Sequence, residues 1–380
     1  MVGRLARSGY RVPAVAVAAG LVACAAGPAP AAEGVQYRFG AIAVPAASAD
    51  EPRRDAVSLA MAREHVEQGA VAWSGERRCI SCHTNGTYMI DRPALAAALG
   101  PPPEDTLRFF HEQLTELSGQ DREALRKSTK PAQVIYLAAG LASWDRHVRG
   151  SRSAETDAAL ELMLSIQEDT GTWGTLDCWP PYESDAFHEA TVAATAAATA
   201  PGWLEHAEGG TAPALAAGVG RLRAWLRDTP PPHDYGRVLL LQTSTRFPGI
   251  LDGAGREATI AMLRGQQRDD GGWSIRTFAA PEAWGGGNRA EKLRAEPDHD
   301  TPASDGHMTG LAVLVLREAG VAADDPAVRR GVDWLLANQR ESGRWWTRSL
   351  NTDSWHFITY SGTTLPLRAL AACDALPRSE

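Results

Sequence analysis

Cysteine is scarce in this sequence, with five in 380 residues. Beyond the N-terminal leader there is no apolar run long enough to cross a bilayer as a helix. Positive charge is not in surplus either: 38 Lys and Arg face 46 Asp and Glu, for a net charge of −8. A phosphate backbone is repelled by such a surface, so nucleic acid is not an expected partner. What the chain does hold is a 44% apolar content, enough to bury an ordinary core.

The leader is not core. Arg4, Arg7 and Arg11 precede a short apolar stretch from Val12 to Val22, the pattern of a secretory signal over residues 1–23. Leu21-Val22-Ala23-Cys24 resembles a bacterial lipobox, which would make lipidated Cys24 the chain's one membrane anchor. Ala29-Pro30-Ala31 offers an ordinary cleavage site instead. Either way the expectation is export, to a periplasm or to a lipid-anchored position. Residues 24–50 are rich in Ala, Pro and Gly and read as a linker. Residues 51–376 then form one domain.

Two of the few cysteines sit in Cys79-Ile80-Ser81-Cys82-His83. C-x-x-C-H is the attachment signature of c-type haem. Two thiols at this spacing can each form a thioether to one porphyrin vinyl group, and the adjacent His reaches the iron as proximal ligand. One covalent haem c is therefore expected, with the haem-maturation machinery as a partner. Arg77 and Arg78 are candidates to pair with its propionates.

A repeat runs along the rest of the chain. Gln167-x-x-x-Gly171-x-Trp173 recurs at Gln267, Gly271 and Trp273, and again at Gln339, Gly343 and Trp345. Each copy follows a helical pattern, and each Gly reads as a helix stop. The Gln is expected to bond helix-terminal backbone while the Trp packs over the turn. These copies resemble the QW repeats of squalene–hopene cyclases and the wider terpenoid-cyclase and protein-prenyltransferase family. The resemblance covers roughly residues 154–373 and is strongest from Gly255 onward. It implies an all-α fold, an (α/α)6 toroid in which six helical hairpins form an inner and an outer ring.

Six outer/inner pairs can be drawn: 55–72 with 87–99, 103–117 with 132–146, 154–167 with 184–200, 214–228 with 234–247, 255–267 with 304–319, and 325–339 with 353–372. The haem motif falls in the first hairpin turn, where a QW turn is missing. All outer-to-inner turns lie at one end of such a toroid, beside the N-termini of the inner helices. That mouth should gather Asp91, Asp185, His188, Glu189, His233, Asp234, Arg237, Asp305, His307, Met308, Asp353, His356 and Tyr360. Any one Asp there also reads as a helix cap. The catalytic candidates are Asp185, His188, His307, Asp353 and His356. The distal haem-ligand candidates are His188, His307, His356, Met89 and Met308, with an open iron as the other outcome. The long connection 274–302 reads as a lid over the mouth. Cys178 and Cys373 fall at opposite ends of an inner helix of about 18 residues, roughly 27 Å long. A disulfide needs Cα atoms within about 7 Å, so these two are expected not to pair.

The expected function is that of an exported c-type haem protein. It would be a haem-dependent oxidoreductase acting on a small apolar substrate in the central cavity, or an electron carrier with a redox partner. The alternatives are a carbohydrate-active enzyme using paired carboxylates such as Asp185 with Asp353 or Asp234, a class II cyclase-like enzyme, a zinc protein on Cys79, Cys82 and His83, and a noncatalytic cavity-binding module. Asp298-x-Asp300-Thr301 resembles the D-x-D-D acid motif of class II cyclases, with one acid missing.

Overall fold

The computed structural model describes residues 34–174, 179–182, 185–352 and 356–377. Two short strands come first, β1 (Val35–Phe39) and β2 (Ile42–Pro45), paired antiparallel. Twelve principal helices follow: α1 (Leu59–Arg77), α2 (Asn85–Asp91), α3 (Asp105–Ser118), α4 (Lys130–Trp144), α5 (Ala154–Ser165), α6 (Ala186–Thr199), α7 (Pro213–Asp228), α8 (Asp234–Ser244), α9 (Gly253–Gly265), α10 (Gly306–Glu318), α11 (Pro326–Ala337) and α12 (Ser361–Ala372). The helix starts follow capping chemistry. Ser58, Ser153, Asp185, Asp252, Asp305 and Asp325 each accept an amide N–H of the first turn.

The even-numbered helices form an inner ring. α2 packs on α4, α4 on α6, α6 on α8, α8 on α10, α10 on α12, and α12 returns to α2. The odd-numbered helices lie outside them. This is the expected (α/α)6 toroid, and all six expected hairpins are present. Burial separates the two rings as the sequence does. α4 and α10 are buried along almost their whole length, whereas α3 and α11 bury one stripe and expose the other.

The QW turns join neighbouring outer helices. Each Trp is buried, and its Nε1–H donates to a carbonyl ten residues earlier in its own hairpin: Trp173 to Met163 at 2.9 Å, Trp273 to Leu263 at 2.7 Å and Trp345 to Leu335 at 2.8 Å. Each Gln amide donates twice. One bond closes its own turn on the carbonyl of Gly171, Gly271 or Gly343. The other reaches the next outer helix or its cap, at Gly218 (3.1 Å), Ala327 (2.8 Å) and Ser58 (3.0 Å). The last of these ties α11 to the start of α1 and so closes the outer ring. The glycines are required because each has φ near +90° and runs against the neighbouring helix: a Cβ on Gly271 would lie 2.7 Å from the Arg330 carbonyl oxygen.

Three expectations need correction. The Ala/Pro-rich stretch 24–50, read as a linker, is folded from residue 34 onward. Tyr37 and Val44 point inward, with Tyr37 edge-on to Trp73 at 5.5 Å and stacked on Phe357 at 5.7 Å. Arg344 donates to the carbonyls of Pro45 and Ala46, both at 3.0 Å, and fastens the hairpin to the third QW turn. Next, α2 ends at Asp91 rather than running on to Leu99, because Pro93 breaks it into a 3-10 turn over Pro93–Leu95. The last inner helix starts at Ser361, preceded by a 3-10 turn over Phe357–Thr359. The signal sequence, Cys24 and the Cys178–Cys373 question lie outside the described residues.

Two glycine substitutions should move stability in opposite directions. Gly271→Ala should cost more than about 1 kcal/mol, because its backbone and its space both exclude a Cβ. Gly220→Ala, exposed inside α7 with nothing within 4 Å of the new Cβ, should add about 0.5–1 kcal/mol. Urea denaturation of both variants reads the sign directly.

Candidate functional site

The C-x-x-C-H loop lies between α1 and α2. It is held by Asn85, whose Oδ1 accepts from the Ser81 amide at 2.8 Å and whose Nδ2 donates to the Cys79 carbonyl at 3.1 Å. Trp73 Nε1 donates to the same carbonyl at 3.0 Å. Cys79 is half-buried, Cys82 is buried, and no disulfide joins them. His83 stands between aromatic rings, stacked on Phe357 at 4.3 Å and edge-on to Trp73 at 4.7 Å. Its Nδ1 is 2.7 Å from the Thr84 hydroxyl, which is 3.3 Å from the Tyr37 hydroxyl of β1. Its Nε2 makes no hydrogen bond to a described residue. Burial lowers His83 to about 3, so the ring is neutral.

Around this loop the inner helix starts converge as expected, and they bring a chain of polar groups with them. Tyr182, on the segment before α6, lies 6.4 Å from the His83 ring, 6.2 Å from His188 and 6.4 Å from His307. Its hydroxyl bonds Ser361 Oγ at the start of α12. Ser361 Oγ also lies 2.7 Å from His307 Nδ1, and His307 Nε2 lies 3.1 Å from the Tyr235 hydroxyl of α8. Tyr182, Ser361, His307 and Tyr235 thus form one hydrogen-bonded run contributed by four hairpins. His188 is bonded separately, through Nδ1 to the Pro181 carbonyl at 2.5 Å and through Nε2 to the Tyr136 hydroxyl at 3.4 Å. Burial lowers His307 to about 3 and lowers His188 as well, while it raises the phenols of Tyr182 and Tyr235. The whole cluster is uncharged.

The remaining candidates divide. Asp185 caps α6 and lies 3.3 Å from His233 Nε2; burial pushes its carboxyl up, but the His233 ring, His188 and the His188 amide together hold it below the ordinary range. Asp234 is paired with Arg237 and accepts from Gln266. Asp305 is buried and raised by burial to about 6, yet both oxygens are used as caps on the Met308 and Ile275 amides. His356 lies against Trp346, ring centroids 4.5 Å apart and planes tilted by 45°. Met308 is buried at the start of α10, and Met89 is wedged between α2 and α4 against Gly140. Asp353 lies outside the described residues. Arg77 pairs with Glu76 and Arg78 with Glu112.

Several expectations are overturned. Asp91 is not at the mouth: α2 is too short, and the carboxylate sits at its far end, bonded to Arg368 at 2.6 Å and Thr364 at 2.7 Å. Asp298 of the D-x-D-T run pairs with Arg348 at 2.6 Å on the surface, and Asp300 is exposed, so that run has no buried carboxyl to keep protonated. Among the described residues no three His, Cys, Asp or Glu side chains converge as a metal-ion site. Cys79, Cys82 and His83 therefore do not form the tetrahedral donor set that the zinc reading needs. The 274–302 connection is packed in place, with Trp284 buried against His233 (5.0 Å) and Tyr235 (5.5 Å). With this end filled, the cavity along the ring axis, about 130 Å³, is lined by residues toward the other ends of the inner helices, including Thr199, Arg246 and Arg368.

Residues 235–374 match the family model of the squalene–hopene cyclase C-terminal domain. That part of the chain, a little over a third of it, is similar to a cyclase domain. The match spans α8 to α12 and two of the three QW turns, and it fits the toroid described above. A search of curated proteins finds no match. Among solved structures, a glycosidase variant aligns at 14% identity over 83% of this chain and 86% of its own, with a TM-score of 0.38. Within the matched part, Tyr235, Asp305 and His307 are buried ionisable groups at the mouth. The residues missed in the sequence are Tyr182, Ser361, Tyr235 and Tyr37, which are hydroxyl groups outside any metal or acid–base pattern.

Neutral buried histidines make stability depend on pH. His65, stacked on Tyr360 at 4.9 Å with no partner for Nε2, and His307 both stand at about 3 against 6.5 when unfolded. The unfolded chain binds the extra protons between those values, so stability is full above 6.5 and falls as pH drops toward 3. Each ring should contribute up to about 1.4 kcal/mol per pH unit in that window. His65→Phe keeps the stacking and removes one titration. Its loss of unfolding free energy between about pH 7 and about pH 5 should be smaller than that of the parent chain; an equal loss would mean that His65 is not protonated on unfolding.

Proposed function

We propose that this chain is an exported c-type haem protein whose haem site is built into one end of a cyclase-like toroid. Cys79 and Cys82 would hold the haem covalently and His83 would be its axial ligand. The observation that carries the reading is the state of His83: a neutral ring with Nδ1 engaged on Thr84 and Nε2 left without a hydrogen bond to any described residue. That is the donor form an iron takes, with the second nitrogen oriented by its neighbours. The two thiols flank a turn that Asn85 and Trp73 already fix.

Bound there, a haem supplies one-electron redox chemistry and, with an open axial position, oxygen or peroxide chemistry. The chain's own residues do the rest. Phe357 and Trp73 shield His83 from water. Thr84 and Tyr37 hold its tautomer. Tyr182, Ser361, His307 and Tyr235 can pass a proton across the ring axis through hydroxyl and imidazole groups. Both nitrogens of His188 and of His307 are engaged in hydrogen bonds, and Met89 and Met308 are locked in helix packing. Of the distal candidates this leaves His356, or an iron with no second protein ligand; the first would suit an electron carrier and the second a haem-dependent oxidoreductase with a small substrate. Export would place the chain in a periplasm, or on a membrane through lipidated Cys24, where the haem-maturation machinery works.

A second reading, a haem-free cavity enzyme of cyclase or carbohydrate-active type, draws on the family match of residues 235–374. Asp305, with its carboxyl at about 6, is the acid it would use.

Co-expression with haem-maturation proteins should give a c-type pyridine haemochrome, lost in the Cys79→Ala/Cys82→Ala double variant with helical circular dichroism unchanged. His83→Ala should keep the covalent haem but shift its Soret band, and the ferrous protein should bind CO. A colourless, fully helical protein would reject the haem reading and leave Asp305→Asn to test the second.

A further inference from the structure

The axial cavity lies away from the C-x-x-C-H loop, and its polar lining is not used by any reading above. Its volume is about 130 Å³, the space of about four water molecules. Ile90, Val192, Leu239 and Leu365 supply apolar wall. Arg246 and Arg368 line the same space. Arg368 is 14% exposed and Arg246 35%, so Arg246 stands nearer the rim.

The acids around it are each paired with these guanidiniums. Glu318 Oε1 accepts from Arg368 at 2.9 Å and from Arg246 at 2.6 Å, and its Oε2 accepts from Gln242 at 3.1 Å. Asp91 accepts from Arg368 on one oxygen and from Thr364 on the other. The two guanidiniums are not saturated in turn. Arg246 gives one N–H group to Glu318, and its remaining donors have no partner among the described residues; the same holds for Nε of Arg368. Both guanidiniums therefore keep N–H donors that no described residue takes up. The local field agrees. His147, at the solvent end of the lining, is lowered to about 4, by desolvation first and then by Arg368, Arg146 and Arg246.

We infer that this cavity is a binding site for a short-chain carboxylate, with the carboxyl group at Arg246 and the alkyl chain among Ile90, Val192, Leu239 and Leu365. A cation would have to compete with two guanidiniums for the carboxylates they already hold. A neutral polar molecule would leave the guanidinium donors unmatched, and hydrogen bonds to a charged partner are about twice as strong as neutral ones. The site is independent of the haem proposal, since none of these residues touches the Cys79–His83 loop.

The test is calorimetric titration of the full chain with acetate, butyrate, hexanoate and butyramide. One saturable site is expected for butyrate or hexanoate, about tenfold tighter than for the amide. Arg246→Gln keeps a donor for Glu318 and should weaken the acid about tenfold. Thr195→Met fills the cavity without changing a charge and should abolish binding at an unchanged melting temperature. The Cys79→Ala/Cys82→Ala variant should bind as the parent does. No saturable binding by any of the three acids, equal affinity for butyrate and butyramide, or undiminished binding by folded Thr195→Met would each overturn the proposal.

Discussion

One side-chain amide, used three times, sets the geometry of this toroid. In each QW turn the Gln donates both to the glycine carbonyl of its own turn and to a carbonyl of the next outer helix or its cap. The bond to the neighbour fixes spacing, because its length leaves no slack between adjacent helices. The buried Trp beneath it fixes angle, because its indole N–H is bound to the preceding helix. Removing such an amide strands two carbonyls and loosens one joint of the ring. The inner helices carry no comparable joint. They are held mainly by burial, which explains the nearly uniformly apolar α4 and α10, with polar links between some neighbours, such as Thr364 and Arg368 to Asp91.

The mouth of the ring is a compromise between packing and chemistry. Tyrosines, histidines and a serine from different hairpins meet there, with the Asp185 carboxylate beside His188 and His233. Burial keeps His83 and His307 unprotonated, lowers His188, and keeps the Tyr182 and Tyr235 phenols protonated. A neutral network of this kind costs little as long as every hydrogen bond is made, and the run from Tyr182 to Tyr235 is complete. The far end of the axis is built differently. There Arg368 and Arg246 are balanced by Asp91 and Glu318, so charge is buried in pairs.

How legible this was depends on the range of the signal. The hairpins could be read because their periodicity is local and the Gln-to-Trp spacing repeats. The end of α2 was misplaced because Pro93 follows an otherwise helical pattern, and Asp91 moved with it. The strands at Val35–Phe39 and Ile42–Pro45 were hidden by their Ala/Pro-rich surroundings and a bulge between Val35 and Tyr37. His188 and His307 were found because histidine draws attention. Tyr182 and Ser361 were not: they are 179 residues apart and meet only once the ring has closed.

The N-terminal hairpin adds a matter of timing. Tyr37 reaches Thr84 beside the motif, while Arg344 grips Pro45 and Ala46 from almost 300 residues away. A chain that emerges N-terminus first has its Cys79–His83 loop complete long before Gln339 can reach Ser58. Until the last hairpin arrives, Phe357 is not there to stack on His83, and nothing seals that face of the loop. The haem proposed above would have that interval in which to reach the two thiols. Closing the ring then ends the access, in the manner of a seam sewn after the contents are in place.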